Sequence, residues 1–335
     1  MAATSFKLNT GKEIPSLGLG TWQSKPGEVQ TAVSYALQNG YRLVDCAYCY
    51  GNEAEVGEGL KEAFAAGVER KDVFIMTKVW ATYNTRVQEC LDKSLKALGM
   101  DYVDMYLITP ILDLCAWLIT YPGNDDKFPT LPDGSRDILR DWKHTEAWPQ
   151  MEALLATDKV RGIGVSNVTL QPTPSFPCLP YSLCTQKQYS KKYLEELLAS
   201  CTVVPAVNQI ENHPSLPQQE IVDLCRARGI HVVAYSPLGS AGSPLLTAAP
   251  VVAIAERRGV SPATVLLSYH VARGATVLAK SVAPARIKAN ADIVKLDEED
   301  MEQLRKYSED LAAKKELKRY VYPPFGIDFG FPDKS

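Results

Sequence analysis

The stretch VFIMTKVWATYNTRVQECLDKSLKAL, residues 73–98, combines a strand pattern with a helix pattern. Its first seven residues, 73–79, form a nearly continuous apolar and β-branched run, which is typical of a strand that is buried on both faces. In residues 85–98 the apolar side chains recur instead at steps of three and four, the period of an amphipathic helix. The stretch therefore predicts one βα unit, with Lys78 near the end of its strand.

The same alternation continues along the whole chain. Further helical patterns occupy residues 27–39, 145–157, 191–199, 218–228 and 262–272, and the predicted strands are residues 16–20, 42–47, 73–79, 102–108, 162–166, 204–210, 231–236 and 276–281. Eight strands that alternate with helices predict an α/β fold, a (β/α)8 TIM barrel with long βα loops. Residues 6–8, the turn at residues 9–12 and Ile14 predict an N-terminal β-hairpin that closes the bottom of the barrel. No linker divides residues 1–335, so we expect one domain.

The composition excludes several function classes. Charged residues make up 22% of the chain, hydrophobic residues 46%, and the net charge is −3, an ordinary balance for a soluble protein. This balance predicts no nucleic-acid or membrane partner, and no apolar run approaches the ~18 residues that span a bilayer. No secretory signal is recognisable either. We therefore expect a cytoplasmic monomer that acts on a small molecule.

The eight cysteines are scattered, and we expect reduced thiols rather than a disulfide framework. Cys46 and Cys49 form a CxxC motif, which could be a redox pair or half of a zinc site. No second CxxC and no nearby histidine accompanies it. We favour two small residues at a strand end, and we expect no metal.

Chemistry in such a barrel belongs where the strands end and the βα loops begin. Asp45 and Lys78 stand near two neighbouring strand ends, and Tyr50 follows the first of these strands. A nearby ammonium lowers the pKa of a phenol, so these three residues could form a proton-handling group. The alternative is a buried Asp–Lys pair that only satisfies itself. The spacing alone leaves both interpretations open.

Six motifs, in this order along the chain, resemble the aldo-keto reductase family. They are GYRLVDCAYCYGNEAEVGEGL (40–60), TKVW (77–80), GVSN (164–167), PAVNQIENHP (205–214), AYSPLGS (234–240) and AKSVAPARIKAN (279–290). Two further stretches, FPTLPDGSRDI (128–138) and the C-terminal LKRYVYPPFGIDFGFPDKS (317–335), are similar to fungal NADP-dependent glycerol dehydrogenases and small-aldehyde reductases. The resemblance implies a nicotinamide cofactor lying across the strand ends. It also implies the reversible interconversion of small aldehydes or ketones and the corresponding alcohols, with glyceraldehyde-like compounds and glycerol-like polyols as substrates.

The resemblance also implies a role for individual residues. Tyr50 would protonate the carbonyl oxygen as general acid, and Lys78 and Asp45 would tune the pKa of Tyr50. Trp22 and Trp80 would contact the substrate. The remaining matched positions would bind NADP(H): Thr21, Trp22, Ser166, Asn167, Gln209, Tyr235, Ser236, Leu238, Lys280, Ser281, Arg286 and Asn290.

Within that set the residues have different tasks. Ser166, Asn167 and Gln209 match the contacts to the nicotinamide carboxamide, and Tyr235 matches the ring that stacks on the nicotinamide. Lys280, Ser281, Arg286 and Asn290 match the adenosine-phosphate pocket, where basic side chains favour the 2′-phosphate of NADP over NAD. Outside the resemblance, Lys280 and Arg286 could be ordinary surface charges.

Two atypical insertions, at about 109–121 and 168–188, disturb the resemblance. After the strand that ends at Ile108 the family has His-Trp-Pro, whereas this chain has Thr109 and Pro110, and no histidine occurs before His144. His213, His231 and His270 belong to other motifs or elements. Residues 168–188 contain four prolines and two cysteines, and without them the chain reads GVSNYSKKYLEELL.

These insertions leave two functions open. The first is an active NADP-linked reductase, whose activity is reduced by the loss of a donor to the carbonyl. The second is a cofactor-binding pseudoenzyme or the product of a mis-spliced gene. Val168 begins with a GT codon and Gln188 can be encoded by CAG, so residues 168–188 could be a translated intron. A functional loop is the alternative interpretation of this segment.

Overall fold

The computed structural model describes residues 4–25, 27–108, 125–127, 129–134, 144–166, 189–240 and 243–321, with the backbone alone for residues 144 and 189–193. Asn167 and the two insertions, 109–121 and 168–188, lie outside the described residues.

Eight parallel strands form a closed barrel, as the alternation of patterns predicts. The strands are β3 (Leu17–Gly20), β4 (Leu43–Asp45), β5 (Phe74–Val79), β6 (Met105–Ile108), β7 (Ile163–Ser166), β8 (Val207–Glu211), β9 (His231–Tyr235) and β10 (Thr276–Lys280). Each strand pairs with the next one along the chain, and β10 pairs with β3 to close the ring. The (β/α)8 prediction is confirmed.

A small antiparallel hairpin precedes the barrel, again as predicted. Its strands are β1 (Ser5–Lys7) and β2 (Glu13–Pro15). Leu8 and Ile14 pack into the barrel interior with side chains such as Leu43, and the Phe6 ring lies 5.2 Å from the His231 ring. His231 begins β9, so the hairpin covers the end of the barrel where the strands start.

Helices surround the barrel in the described residues. They are α1 (Glu28–Gln38), α2 (Glu53–Ala65), α3 (Val87–Leu98), α4 (Trp148–Leu154), α5 (Tyr189–Ser200), α6 (Gln219–Ala227), α7 (Ala249–Arg258), α8 (Pro262–Ala272), α9 (Pro284–Asn290) and α10 (Glu298–Lys314). Their apolar faces pack on the outside of the strands, where Leu60, Leu91 and Trp148 are fully buried or nearly so. This second apolar layer fixes the strand ends, and with them the side chains that project from those ends.

The boundaries of several predicted elements need correction. The helix predicted at residues 145–157 is a short 3-10 turn (His144–Glu146) followed by α4, which starts at Trp148. Pro149 explains the new start, because proline is tolerated only in the first turn of a helix. The strand predicted at residues 204–210 begins only at Val207, after Pro205, which has no N–H to donate to a neighbouring strand.

Candidate active site

Asp45, Lys78 and Tyr50 meet at the end of the barrel where the strands finish. Asp45 ends β4, Lys78 lies in the adjacent strand β5, and Tyr50 lies in a 3-10 turn directly after β4. The Lys78 ammonium donates to Asp45 Oδ1 at 2.7 Å, to the Cys46 carbonyl oxygen at 2.7 Å and to the Tyr50 hydroxyl oxygen at 3.3 Å. The structure thus brings together the three residues of the predicted proton-handling group.

The Asp45–Lys78 pair is buried, with side chains 5% and 6% exposed. Buried charges are costly unless they are paired and hydrogen-bonded, and both conditions are met here. Asp45 Oδ1 also accepts a hydrogen bond from Gln209 Nε2 at 2.8 Å. Asp45 and Lys78 do pair with and hydrogen-bond to each other, as the alternative interpretation proposes. One N–H donor of Lys78 nevertheless remains for the Tyr50 hydroxyl.

The expected direction of the Tyr50 pKa shift is wrong for this structure. Burial raises the pKa of Tyr50 well above its ordinary value, and the negative charge of Asp45 raises it further. The Lys78 ammonium alone would lower this pKa, but the loss of water around the phenol disfavours the phenolate more strongly. The hydroxyl therefore keeps its proton through the neutral pH range, as a proton donor must.

Of the two predicted substrate contacts, Trp22 lies beside Tyr50 and Trp80 lies beside Lys127. The Trp22 side chain is 36% exposed, and its ring centroid is 6.5 Å from that of Tyr50. Trp80 follows Val79, the last residue of β5, and is only 9% exposed. Its Nε1 donates to the Lys127 carbonyl oxygen at 2.6 Å. The Trp22 ring therefore lies next to the Tyr50 ring and is partly exposed to solvent.

The described residues predicted to contact the nicotinamide lie at neighbouring strand ends. Ser166 in β7 is opposite Gln209 in β8, and both are almost completely buried. Thr21 donates through Oγ1 to the Asp45 carbonyl oxygen at 2.8 Å. Tyr235 ends β9 and is half-buried, and Ser236 after it has a φ of 50°. A left-handed backbone is strained for serine, so the chain turns sharply at this edge.

Of the residues predicted to form the phosphate pocket, Lys280 ends β10, and Ser281, Arg286 and Asn290 follow it. Lys280 and Arg286 are exposed, and Arg286 Nε donates to Ser281 Oγ at 3.3 Å. Among the described residues neither cation forms an ion pair with a carboxylate. Leu238 and Asn290 are half-buried. Two cations without a counter-charge suit a phosphate group, so these residues are compatible with the predicted cofactor.

Three of the four histidines make contacts away from Tyr50. His213 lies between Glu211 and Ser215, with nitrogen–oxygen distances of 3.1 and 3.0 Å. His231 is at the opposite end of the barrel, and burial lowers its pKa to about 4. His270 is buried in α8. The His144 side chain lies outside the described residues. No described histidine side chain thus replaces the donor that the sequence lacks after Ile108.

The CxxC cysteines are free thiols. Cys46 is buried in the core around the barrel, and burial raises the pKa of Cys49 to about 12. Neither thiol is activated for redox chemistry by its surroundings. Among the described residues, no group of His, Cys, Asp or Glu is arranged to hold a metal ion. In the same part of the chain no helix is long and apolar enough to cross a membrane.

Sequence reasoning missed two buried carboxylates near the strand ends. Glu53 is 5% exposed, accepts from Thr77 Oγ1 at 2.6 Å, and has its pKa raised by burial. Glu211 is fully buried and accepts from the backbone N–H groups of Tyr320 at 2.8 Å and Val321 at 3.2 Å. Glu211 therefore ties the C-terminal segment to the end of β8. The available signal was an acidic residue within each of the motifs GNEAEVG and NQIENHP.

The sequence and fold match known proteins along most of the chain. The sequence model of the Aldo/keto reductase family matches residues 16–309. A solved aldose reductase structure from Schistosoma japonicum superposes with a TM-score of 0.78 at 36% sequence identity, covering 91% of this chain and 92% of that one. The resemblance stated from the sequence is thereby confirmed.

Two curated relatives are fungal reductases or dehydrogenases. A D-galacturonate reductase of Hypocrea jecorina is 67% identical over 336 residues, covering 100% of both chains. A glycerol 2-dehydrogenase (NADP(+)) of Saccharomyces cerevisiae is 41% identical over 330 residues, covering 96% of each. The chain is therefore similar to a fungal glycerol dehydrogenase, as the narrower resemblance implies. It is more similar in sequence to the D-galacturonate reductase.

Proposed function

This chain belongs to the aldo/keto reductase family, and we propose that it is an NADP(H)-dependent oxidoreductase of small hydroxylated aldehydes with Tyr50 as its general acid. The observation that carries the proposal is the position of the Lys78 ammonium, 2.7 Å from Asp45 Oδ1 and 3.3 Å from the Tyr50 oxygen. The Tyr50 phenol can release its proton in this arrangement. The Lys78 ammonium beside it, held by the Asp45 carboxylate, then stabilises the phenolate.

The proton leaves from the Tyr50 hydroxyl. When NADPH is bound, its nicotinamide supplies the hydride to the carbonyl carbon. Tyr50 donates its proton to the carbonyl oxygen as negative charge develops there. The resulting phenolate is stabilised by the Lys78 ammonium, which Asp45 holds in place. In the reverse direction the phenolate accepts the proton of an alcohol, and the same cation favours the phenolate.

The choice of NADP over NAD rests on charge. Lys280 and Arg286 have no carboxylate partner among the described residues. The 2′-phosphate of NADP would provide an anionic partner for them. Charge-assisted hydrogen bonds to phosphate are stronger than bonds between neutral groups. The yeast relative named for NADP(+) supports the same choice.

The substrate class follows from the aromatic ring beside Tyr50 and from the relatives. The partly exposed Trp22 ring lies 6.5 Å from the Tyr50 ring, which suits a short carbon chain with its carbonyl at the hydroxyl. The relatives are named for D-galacturonate and for glycerol, two polyhydroxylated compounds. We therefore propose glyceraldehyde-like aldehydes and sugar acids with a free aldehyde as substrates, and the corresponding alcohols as products.

A second candidate function rests on the sequence after Ile108. No histidine occurs between Met1 and Lys143, so the family's donor to the carbonyl oxygen is missing from that part of the chain. A protein that binds the cofactor without significant turnover, whether a pseudoenzyme or the product of a mis-spliced gene, agrees with this absence.

Cofactor binding followed by turnover separates the two functions. NADPH is titrated by its fluorescence, and oxidation of NADPH is then followed with glyceraldehyde and with D-galacturonate, using Tyr50→Phe as the matched control. A reductase binds NADPH and turns over, and Tyr50→Phe abolishes turnover while it preserves the binding constant. Binding without turnover by the unmodified chain would favour the second function. Turnover that survives in Tyr50→Phe would refute the role of Tyr50.

The cytoplasmic location and the monomeric state stay predictions. Sedimentation of the purified protein tests the oligomeric state.

A further inference from the structure

The short segment 125–127 is held against the residues that follow β5 and against the middle of α3. Asp125 Oδ1 accepts from the Tyr83 hydroxyl at 2.8 Å, and its Oδ2 accepts from Lys93 Nζ at 2.7 Å. Two residues later, the Lys127 carbonyl oxygen accepts from the Trp80 indole at 2.6 Å. Because both ends of the segment are held, the place from which the Lys127 side chain extends is defined.

The Lys127 ammonium lies over the turn that contains Tyr50. A Cβ atom built on Gly51, the residue after Tyr50, would lie only 2.5 Å from Lys127 Nζ. Nζ is also 5.9 Å from the centroid of the Tyr48 ring. Gly51 has a φ of 71°, and a larger residue would be strained there and would displace the ammonium. The cation is therefore held beside the backbone of the proposed acid, on the side bordered by Trp80.

Among the described residues this ammonium forms no ion pair, although its charge acts on the buried carboxyl of Glu53, whose pKa is raised by burial. Asp125, two residues before it, is paired with Lys93 and with Arg86, whose NH1 lies 3.3 Å from Oδ1. The Lys127 side chain is half-buried, so its charge is only partly screened by water. A partly desolvated cation without an ion-pair partner near the proposed proton donor attracts an anionic group of a ligand.

We propose that Lys127 binds the carboxylate of the substrate, and that this protein acts on aldehydes that carry an acid group at the far end of a hydroxylated chain. The inference rests on the proposed function, because the aldehyde end must lie at Tyr50. With one end at the Tyr50 hydroxyl and the other at Lys127, such a substrate lies along the Trp80 side of the site. A single ammonium suits a carboxylate better than a phosphate dianion, which needs more donors.

The test compares charged and neutral substrates in two variants. Lys127→Met removes the charge but keeps much of the length of the side chain, and Lys127→Arg keeps the charge. Initial rates are measured with D-galacturonate, with its uncharged methyl ester and with glyceraldehyde. We expect Lys127→Met to lower kcat/KM for D-galacturonate by about tenfold or more, mainly through KM, since one charge-assisted contact is lost. The ester and glyceraldehyde should change by less than about twofold, and Lys127→Arg should retain most of the preference for the acid.

Salt and binding measurements provide independent readouts. Added salt should raise KM for D-galacturonate in the unmodified protein and have little effect in Lys127→Met, because the lost contact is electrostatic. Binding of the non-reducible acid D-galactonate to the NADP complex, measured by calorimetry, should weaken in Lys127→Met to the same extent. This measurement needs no turnover, so a slow enzyme still tests the proposal.

The outcomes distinguish this inference from the proposed function. Equal losses for acid, ester and glyceraldehyde would mean that Lys127 only supports the loop, and would overturn the inference. No loss for the acid would overturn it as well. A preference of the unmodified protein for glyceraldehyde 3-phosphate over D-galacturonate would assign the cation to phosphate instead. If no aldehyde is reduced by any form, the proposed function fails, whereas the binding of D-galactonate still decides the role of Lys127.

Discussion

Gln209 donates a hydrogen bond from Nε2 to Asp45 Oδ1 at 2.8 Å, although 164 residues separate the two in the sequence. Gln209 was predicted to contact the nicotinamide, and Asp45 to tune the proton donor. The hydrogen bond joins these two groups across the barrel. A change at Gln209 therefore reaches both the cofactor site and the proton-handling group.

Gln209→Leu should destabilise the protein by about 1–3 kcal/mol, because a buried carboxylate loses one donor and gains none. The free energy of unfolding in urea measures the effect, and the binding constant for NADPH should weaken in the same variant. Gln88→Leu is the matched control, because Gln88 also donates to an aspartate, Asp92, at 3.1 Å but is exposed. This control should change stability by less than about 0.5 kcal/mol. Equal effects of the two changes would contradict the importance of the buried contact.

The rate of aldehyde reduction should be independent of pH between about pH 6 and 9. Burial and the charge of Asp45 raise the pKa of Tyr50 well above its ordinary value, so the phenol stays protonated over this range. Alcohol oxidation requires the phenolate, so its rate should rise about tenfold per pH unit while the pH remains below that pKa. Both profiles are measured as kcat at saturating cofactor. A reduction rate that falls with a midpoint near neutral pH would indicate another proton donor.

Arg286→Ala should narrow the preference for NADPH over NADH by about tenfold or more, the value of one charge-assisted contact to phosphate. Affinity for NADH should hardly change, because NAD lacks the 2′-phosphate. Arg228→Ala, an exposed arginine just after α6, at the opposite end of the barrel, is the control and should leave both affinities unchanged. Fluorescence titration with both cofactors gives the ratio. Equal affinity of the unmodified protein for the two cofactors would refute the NADP assignment.

A repaired chain should be much faster than the chain as given. Deleting residues 168–188 and placing His-Trp-Pro after Ile108 would restore the donor to the carbonyl oxygen. Removing such a donor typically costs ~10²–10³ in rate, so the repair should recover a factor of that size on glyceraldehyde. Single-turnover rates with bound NADPH make the comparison independent of cofactor affinity. Equal rates for both chains would mean that another group, such as Thr109 or His144, provides the donor.

The sequence by itself determined the number and order of the barrel strands and the positions of six helices, because apolar residues repeat there at strand and helix periods. It did not predict α2, α7, α9 and α10. It also indicated Asp45, Lys78 and Tyr50, since polar residues at the ends of apolar strands stand out. Element ends were less certain. Pro149 and Pro205 moved two of them, because the effect of a proline depends on which backbone N–H groups are needed by neighbours.

Only the tertiary structure decided how these groups act on one another. The sequence suggested a lowered pKa for Tyr50, but the folded chain raises it, because enclosure removes water from around the phenol and brings in the Asp45 charge. The hydrogen bond from Gln209 to Asp45 and the position of Lys127 beside Gly51 could not be read from spacing. Contacts between residues so distant in sequence depend on barrel closure and on loop paths, which local patterns do not encode.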